Sequence, residues 1–252
     1  MNTNGNIYTI IYTSVIVILV AALLAFVSQS LKAKQEANEK ADIMSQMMTA
    51  DGIGTKASFQ EMGNAAVLEK YAAEISEAFT VNAKGEKVSD ISLDKVWSPS
   101  DLKAQNNHIK KGELDAVEAP VFKIRNGTTV VPIYGAGLWG PVWGYIALKA
   151  DGKTMIGSYF DHESETAGLG AKIKDDPAFQ AEFTDEMADF SQGRIFEIVK
   201  GGAPKEGGKS VLDNKIDAIT GATMTSKGLD EAINNWLGVY KAYLTSVQTE
   251  EE

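Results

Sequence analysis

Residues 7–27 read IYTIIYTSVIVILVAALLAFV, 21 positions without one charged side chain. A single helix needs about 20 consecutive apolar residues to cross the hydrocarbon of a bilayer. A core helix of a water-soluble protein is usually shorter and keeps a polar face. A cleaved signal peptide fits poorly: no Lys or Arg precedes the run, the run is long for a signal core, and the following SQSLKAKQEANEKAD lacks a small-x-small cleavage site. The run therefore reads as an uncleaved, single-pass anchor over residues 1–30, with a stalk or linker over 31–57 and one folded domain over 58–252. Lys32, Lys34 and Lys40 follow the run, whereas the short tail before it has no basic side chain. Read locally, the positive-inside tendency votes mildly for a domain in the cytoplasm, and Glu36, Glu39 and Asp42 dilute that vote only slightly.

Composition excludes several function classes. The net charge is −10 and no dense Lys/Arg cluster occurs, which argues against nucleic acid as a partner. There is no cysteine, so disulfides, thiolate metal sites and cysteine-ligated iron–sulfur clusters are out. His108 and His162 are the only histidines, too few for a histidine-based zinc site, and no metal site is expected.

Along the soluble part, residues 28–50 read as a polar helical stalk that DGIGTKA (51–57) breaks. A second helix is predicted over 59–79, with Ser58 and Glu61 at capping-box spacing and an apolar stripe through Met62, Ala65, Ala66, Leu68, Tyr71, Ala72 and Ile75. Asn126-Gly127 and Asp151-Gly152 each sit between two β-rich runs, the strongest short hairpin cue. A helix is predicted over 177–190, a short strand over 195–199, a Gly/Lys-rich loop after it, and a closing helix over about 226–247 with Leu229, Ile233, Trp236, Leu237, Tyr240 and Leu244 on one face. Helices bracketing a block of hairpins give an α+β class with a largely antiparallel sheet.

Three segments can carry chemistry. In YGAGLWGPVWGYIAL (134–148), glycines that permit close backbone approach alternate with Leu138, Trp139, Trp143 and Tyr145, whose flat or apolar faces suit a planar ring, or equally a glycine-bent core strand. In HESETAGLGAKI (162–173), the Gly168-Leu169-Gly170 turn can offer backbone amides to an anion or a heterocycle edge, and Glu165 and Thr166 can add polar contacts; it is not a dinucleotide fingerprint. His162 reads as a solvated loop side chain. In DAITGATMTSKG (217–228), Thr220, Thr223, Thr225 and Ser226 surround Gly221 and Ala222. One hydroxyl, Thr225 or Ser226, would cap the helix. The rest suggest a phosphate or modification site: small neighbours leave a threonine hydroxyl reachable by another enzyme, and a helix start favours negative charge.

Together these segments resemble a known family. TGATMT resembles the [ST]-G-A-T-x-T signature at which flavin mononucleotide (FMN) is joined through its phosphate to the last threonine, here Thr225. Asp217 matches the acidic residue upstream, and GLWG and ETAGLG resemble two further hallmarks of the same FMN-binding domain, in the same order. Over residues 58–247 the chain is similar to the C-subunit family of the sodium-translocating NADH:quinone oxidoreductases (NQR); the related alternative is the G-subunit family of the Rnf-type ion-translocating complexes. Ala167 stands where the family usually has proline, and Thr220 where serine is common.

The resemblance implies one mixed α/β FMN-binding domain over 58–252, covalent FMN on Thr225, and a flavin transferase that uses FAD as donor. It implies Asp217, Thr220, Gly221, Ala222 and Thr223 around the phosphate. Around the ring it implies Leu138, Trp139, Glu165, Thr166, Leu169 and Gly170, with no catalytic acid or base. It further implies a hetero-oligomer of six subunits in the bacterial inner membrane. That complex passes electrons from NADH to ubiquinone and pumps sodium outward, and this domain would lie in the periplasm, against the local charge reading. The rival class is an anchored scaffold or binding module without cofactor.

Overall fold

The computed structural model describes residues 5–206, 209–210 and 213–249. Two compact units are present, Met1–Asp42 and Ile43–Glu252.

The helix α1 (Asn6–Ala50) runs through the apolar stretch and is long and apolar enough to cross a membrane. Within that stretch the side chains from Ile10 to Phe26 are exposed. Hydroxyls along it turn back on the helix: Thr13 Oγ1 donates to the carbonyl of Thr9 at 2.8 Å, and Ser30 Oγ to that of Val27 at 2.9 Å. Such back-bonding satisfies a hydroxyl where no water is at hand.

The last two turns of α1 behave differently. Ile43, Met44, Met47, Met48 and Ala50 are buried, which corrects the expectation of a polar stalk over 28–50. The apolar positions are spaced for a helix face, but the surrounding Lys, Glu and Gln residues mask them in the sequence. Burying the isoleucine and the three methionines stabilises the fold by roughly 1.5–3 kcal/mol each.

Beyond α1 come α2 (Lys56–Met62) and α3 (Asn64–Glu74). The single helix expected over 59–79 is therefore split. Gly63 has φ +79°, a conformation glycine alone enters cheaply, and it breaks the run. The capping box is Thr55 with Ser58, one turn earlier than expected. Ile75 then opens β1 (Ile75–Val81) instead of continuing a helix. A meander follows: β2 (Lys87–Asp90), α4 (Pro99–Lys111), β3 (Ala119–Ile124), β4 (Thr129–Ala136), β5 (Pro141–Leu148) and β6 (Met155–His162). The strands form one sheet in the order β2-β1-β3-β4-β5-β6, antiparallel throughout. Both hairpin turns fall where the sequence places them, with Gly127 at φ +94° and Gly152 at φ +67°.

α5 (Lys172–Asp175) follows β6, and the helix expected over 177–190 is reduced to α6 (Pro177–Ala181). Turns follow, in which Phe183 packs between Phe160, Phe179 and Phe196 with centroids 5.0–5.6 Å apart. Tertiary packing of one aromatic residue here overrides a weak local helical preference. β7 (Glu197–Val199), β8 (Lys205–Glu206), β9 (Lys209–Ser210) and β10 (Lys215–Asp217) make two small sheets, β7 with β10 parallel and β8 with β9 antiparallel. The expected loop after residue 199 thus holds β8 and β9, and part of it lies outside the described residues.

The chain closes with α7 (Thr223–Thr249), whose Leu229, Ile233, Trp236, Leu237, Tyr240 and Leu244 are all fully buried. Trp236 Nε1 donates to the carbonyl of Tyr134 at 2.8 Å, and Tyr240 Oη donates to the Pro120 and Pro132 carbonyls at 3.0 and 3.3 Å. Close approach of α7 to β4 depends on missing side chains: a Cβ on Gly228 would overlap the carbonyl oxygen of Ala136, and one on Gly135 would stand 2.6 Å from Ala232 Cβ. The α+β architecture with a largely antiparallel sheet is as expected.

Candidate functional site

The packing of α7 on β4 fixes where the helix begins. α7 starts at Thr223, three residues before the expected Ser226, so Thr225 sits inside its first turn. Neither expected cap acts as one. Ser226 Oγ instead accepts the N–H of Ile219 at 3.1 Å and folds the TGAT loop back on the helix start. Gly221, at φ +82°, makes the turn that permits this. Thr225 Oγ1 donates to Glu165 Oε2 at 2.6 Å, across 60 residues of sequence.

Glu165 follows β6, and its backbone and side chain are both tied. Its N–H donates to His162 Nδ1 at 3.1 Å, and its Oε1 accepts the N–H of Trp139 at 2.9 Å. Ser164 Oγ donates to the Trp139 carbonyl at 2.9 Å, adding a second link between the two loops. One carboxylate therefore joins GLWG, ETAGLG and TGATMT. Space for it comes from glycines: a Cβ on Gly137 or Gly170 would collide with a Glu165 oxygen, and the one on Gly170 would also stand 2.6 Å from Thr225 Oγ1.

The site has a buried polar centre and an exposed apolar rim. Thr225 is 1% exposed and Glu165 7%, whereas Leu138 is 51%, Trp139 66%, Leu169 43% and Met224 57% exposed. Leu169 leans on the loop, its Cδ2 3.0 Å from where a Gly221 Cβ would be. Thr166, Thr220, Gly221 and Thr223 are exposed, and Ala222 and Gly170 are buried. Thr220 and Thr223, the threonines beside the small Gly221 and Ala222, are thus exposed, whereas the Thr225 hydroxyl is buried against Glu165.

Asp217 stands apart from this centre. Its carboxylate pairs with Lys205 at 2.7 Å and accepts the N–H of Ala203 at 2.6 Å, while its own N–H donates to Glu182 at 2.9 Å. Burial pulls the Asp217 carboxyl upward, but Lys205 and the Ala203 amide outweigh it and hold it below the usual range. Asp217 thus secures the strand that leads into the TGAT loop. Of the sequence-derived residues, Glu165, Gly170 and Thr225 come together in the centre, where the backbone amide of Trp139 joins them while its ring stays on the rim. Leu138, Leu169, Gly221, Thr166, Thr220, Ala222 and Thr223 border it. His162, Ser164, Gly137 and Ser226 complete it. The polar character of HESET and the extra hydroxyl of TGATMTS carried their signal, without naming their partners.

The chemistry of the set fits a phosphate-linked flavin. The first amides of a helix have no intrahelical acceptor and favour an anion. A hydroxyl stands in that first turn, and apolar side chains beside it offer faces to a ring.

Residues 137–238 match the family described as the FMN-binding domain. The fold is similar to the crystal structure of the C subunit of the Na(+)-translocating NADH-quinone reductase from Parabacteroides distasonis, with a TM-score of 0.67 and 32% identity, covering 85% of this chain and 97% of that one. The chain belongs to the C-subunit family of the Na(+)-translocating NADH-quinone reductases. The C subunit of Chlamydia trachomatis is 37% identical over 127 residues, 46% of this chain and 40% of its own length. That of Pseudomonas aeruginosa is 34% identical over 127 residues, 49% of this chain and 48% of its own. The chain thus spans under half the length of these curated relatives in the matched region. The FMN-binding match takes in GLWG, ETAGLG and TGATMT, and Thr225 lies within it.

Proposed function

We propose that this chain is the membrane-anchored flavoprotein subunit of a sodium-translocating NADH:ubiquinone oxidoreductase. It carries FMN as a phosphoester on Thr225. The observation that carries the proposal is the placement of the Thr225 hydroxyl in the first turn of α7, joined through Glu165 to the two other flavin-associated loops. The bound flavin supplies the electron-carrying chemistry. The chain supplies the rest. Thr225 provides the attachment oxygen, and the first amides of α7 with the Thr220–Thr223 loop receive the phosphate. Leu138, Trp139, Leu169 and Met224 exclude water from one side of the ring.

Maturation calls for a flavin transferase with FAD as donor. The site accommodates the ester once Thr225 is released from Glu165. By family likeness the chain works among six subunits of an inner-membrane complex. There the domain faces the periplasm and relays electrons between other cofactors on the route from NADH to ubiquinone. A covalent bond has a physical rationale there, because a flavin released outside the cytoplasm is diluted away.

Mass spectrometry of the intact chain co-expressed with a flavin transferase tests this. The expected mass gain is one FMN minus water, with yellow colour that survives denaturation. Thr225→Ala loses the label and Thr223→Ala keeps it. A label that persists in Thr225→Ala, or colour that washes out in denaturant, overturns the proposal.

A further inference from the structure

We propose that Glu165 is the base that accepts the proton of the Thr225 hydroxyl when that hydroxyl is esterified, so that the acceptor protein supplies part of its own flavinylation chemistry. This rests on the reading of Thr225 as the attachment site. A threonine hydroxyl is a weak nucleophile and needs a base within hydrogen-bond reach of its proton. Glu165 Oε2 is 2.6 Å from Thr225 Oγ1 and receives that proton's hydrogen bond.

The surroundings of the carboxylate favour this role over simple fastening. Both side chains are buried, at 1% and 7% exposure. Among the described residues the Glu165 side chain takes the Trp139 amide and the Thr225 hydroxyl and no cationic partner. A buried carboxylate without a counter-ion is costly, and a neutral amide or hydroxyl would fasten the loops at less cost. The Glu163 carboxylate lies against Gly140 and faces Tyr134, and three further titratable groups have partners of their own. His162 Nδ1 accepts the Glu165 amide, Asp217 pairs with Lys205, and Asp161 pairs with Lys174 at 2.7 Å. Gly137 and Gly170 hold open the space in which the carboxylate meets the hydroxyl.

In the transfer, Thr225 Oγ1 bonds to the riboflavin-side phosphorus of FAD, the bond from that phosphorus to the AMP oxygen breaks, and AMP leaves with the electron pair. The Oγ1 proton passes to Glu165 Oε2. Glu165 thereby becomes a neutral carboxylic acid at the moment a phosphodiester forms beside it. Two anions do not face each other in the product, and the new O–H can donate where it had accepted.

Single-turnover labelling of the full-length apo chain in detergent, with purified flavin transferase and FAD, tests this by intact mass against time. Glu165→Gln is expected to slow labelling by on the order of 10²–10⁴-fold without lowering the Tm of the apo chain, and Glu165→Asp to recover part of the rate. Labelling of Glu165→Gln at the wild-type rate overturns the proposal. If Glu165→Gln does not fold, Glu165→Asp decides: its shorter side chain draws the carboxylate back from the hydroxyl, so labelling is expected to fall well below the wild-type rate, and labelling at the wild-type rate overturns the proposal. Failure here is separable from failure of the attachment reading. Normal labelling of Thr225 in Glu165→Gln sinks only the base, whereas labelling of Thr225→Ala sinks the site itself.

Discussion

A Cβ placed on Gly170 would stand 2.6 Å from Thr225 Oγ1, so the absence of a side chain at one residue makes room for the hydroxyl of the other. The flavin-associated glycine turn and the attachment helix are in direct contact. Gly170→Ala is expected to fold, because the atom it meets most closely is the far end of the flexible Glu165 side chain. It should lower the Tm by a few degrees, about 1–2 kcal/mol. Labelling of Thr225 should slow with it, since Glu165 is pushed off the hydroxyl. Wild-type labelling kinetics in Gly170→Ala would contradict this.

Gly228→Ala is a harsher test of the same region. Its Cβ meets the backbone carbonyl of Ala136, which cannot turn aside. The start of α7 must move off β4, at a cost of roughly 1–3 kcal/mol or more. Urea unfolding of the variant should show a lower midpoint, and FMN attachment should fall with it because Thr225 travels with that turn.

Tyr240→Phe removes a buried hydroxyl that donates to two strand carbonyls, those of Pro120 and Pro132. The ring packing survives, so the expected loss is about 1 kcal/mol, read as a shift in urea midpoint with unchanged slope.

Asp51, at the end of α1, makes stability depend on pH. Burial raises its carboxyl above the ordinary value of 3.8, against hydrogen bonds from Thr128 and Asn126 that lower it. Between 3.8 and the higher folded value, the folded chain holds a proton that the unfolded chain has lost. Stability from this group is therefore greatest below that window, declines as pH rises through it, and stays low at neutral pH. Asp51→Asn keeps the shape and removes the buried charge. It should raise the Tm at pH 7 relative to wild type, and the gain should shrink as pH falls toward the ordinary carboxylate range. Thermal melts of both proteins across acid to neutral pH check the sign.

Much of the fold was legible because its determinants are local. Asn126-Gly127 and Asp151-Gly152 announce their hairpins, since glycine at positive φ is what those turns need. The stripe from Leu229 to Leu244 announces α7. What failed was decided at long range or by single breakers. Gly63 and Ile75 end helices that periodicity alone would continue, and Phe183 is placed by three other aromatic rings instead of by its neighbours in sequence. The site divides the same way. The motifs name Glu165 and Thr225 separately, but no spacing reveals that residues 60 apart share a hydrogen bond, or that His162 and Trp139 hold the carboxylate in place.

The burial of Ile43, Met44, Met47 and Met48 has a practical corollary for anyone preparing the domain free of lipid. A version shortened to begin at residue 58 would lay bare the greasy pocket those methionines fill, and should clump or melt early. One that begins shortly before Ile43 keeps its own plug and should stay monodisperse on size-exclusion chromatography.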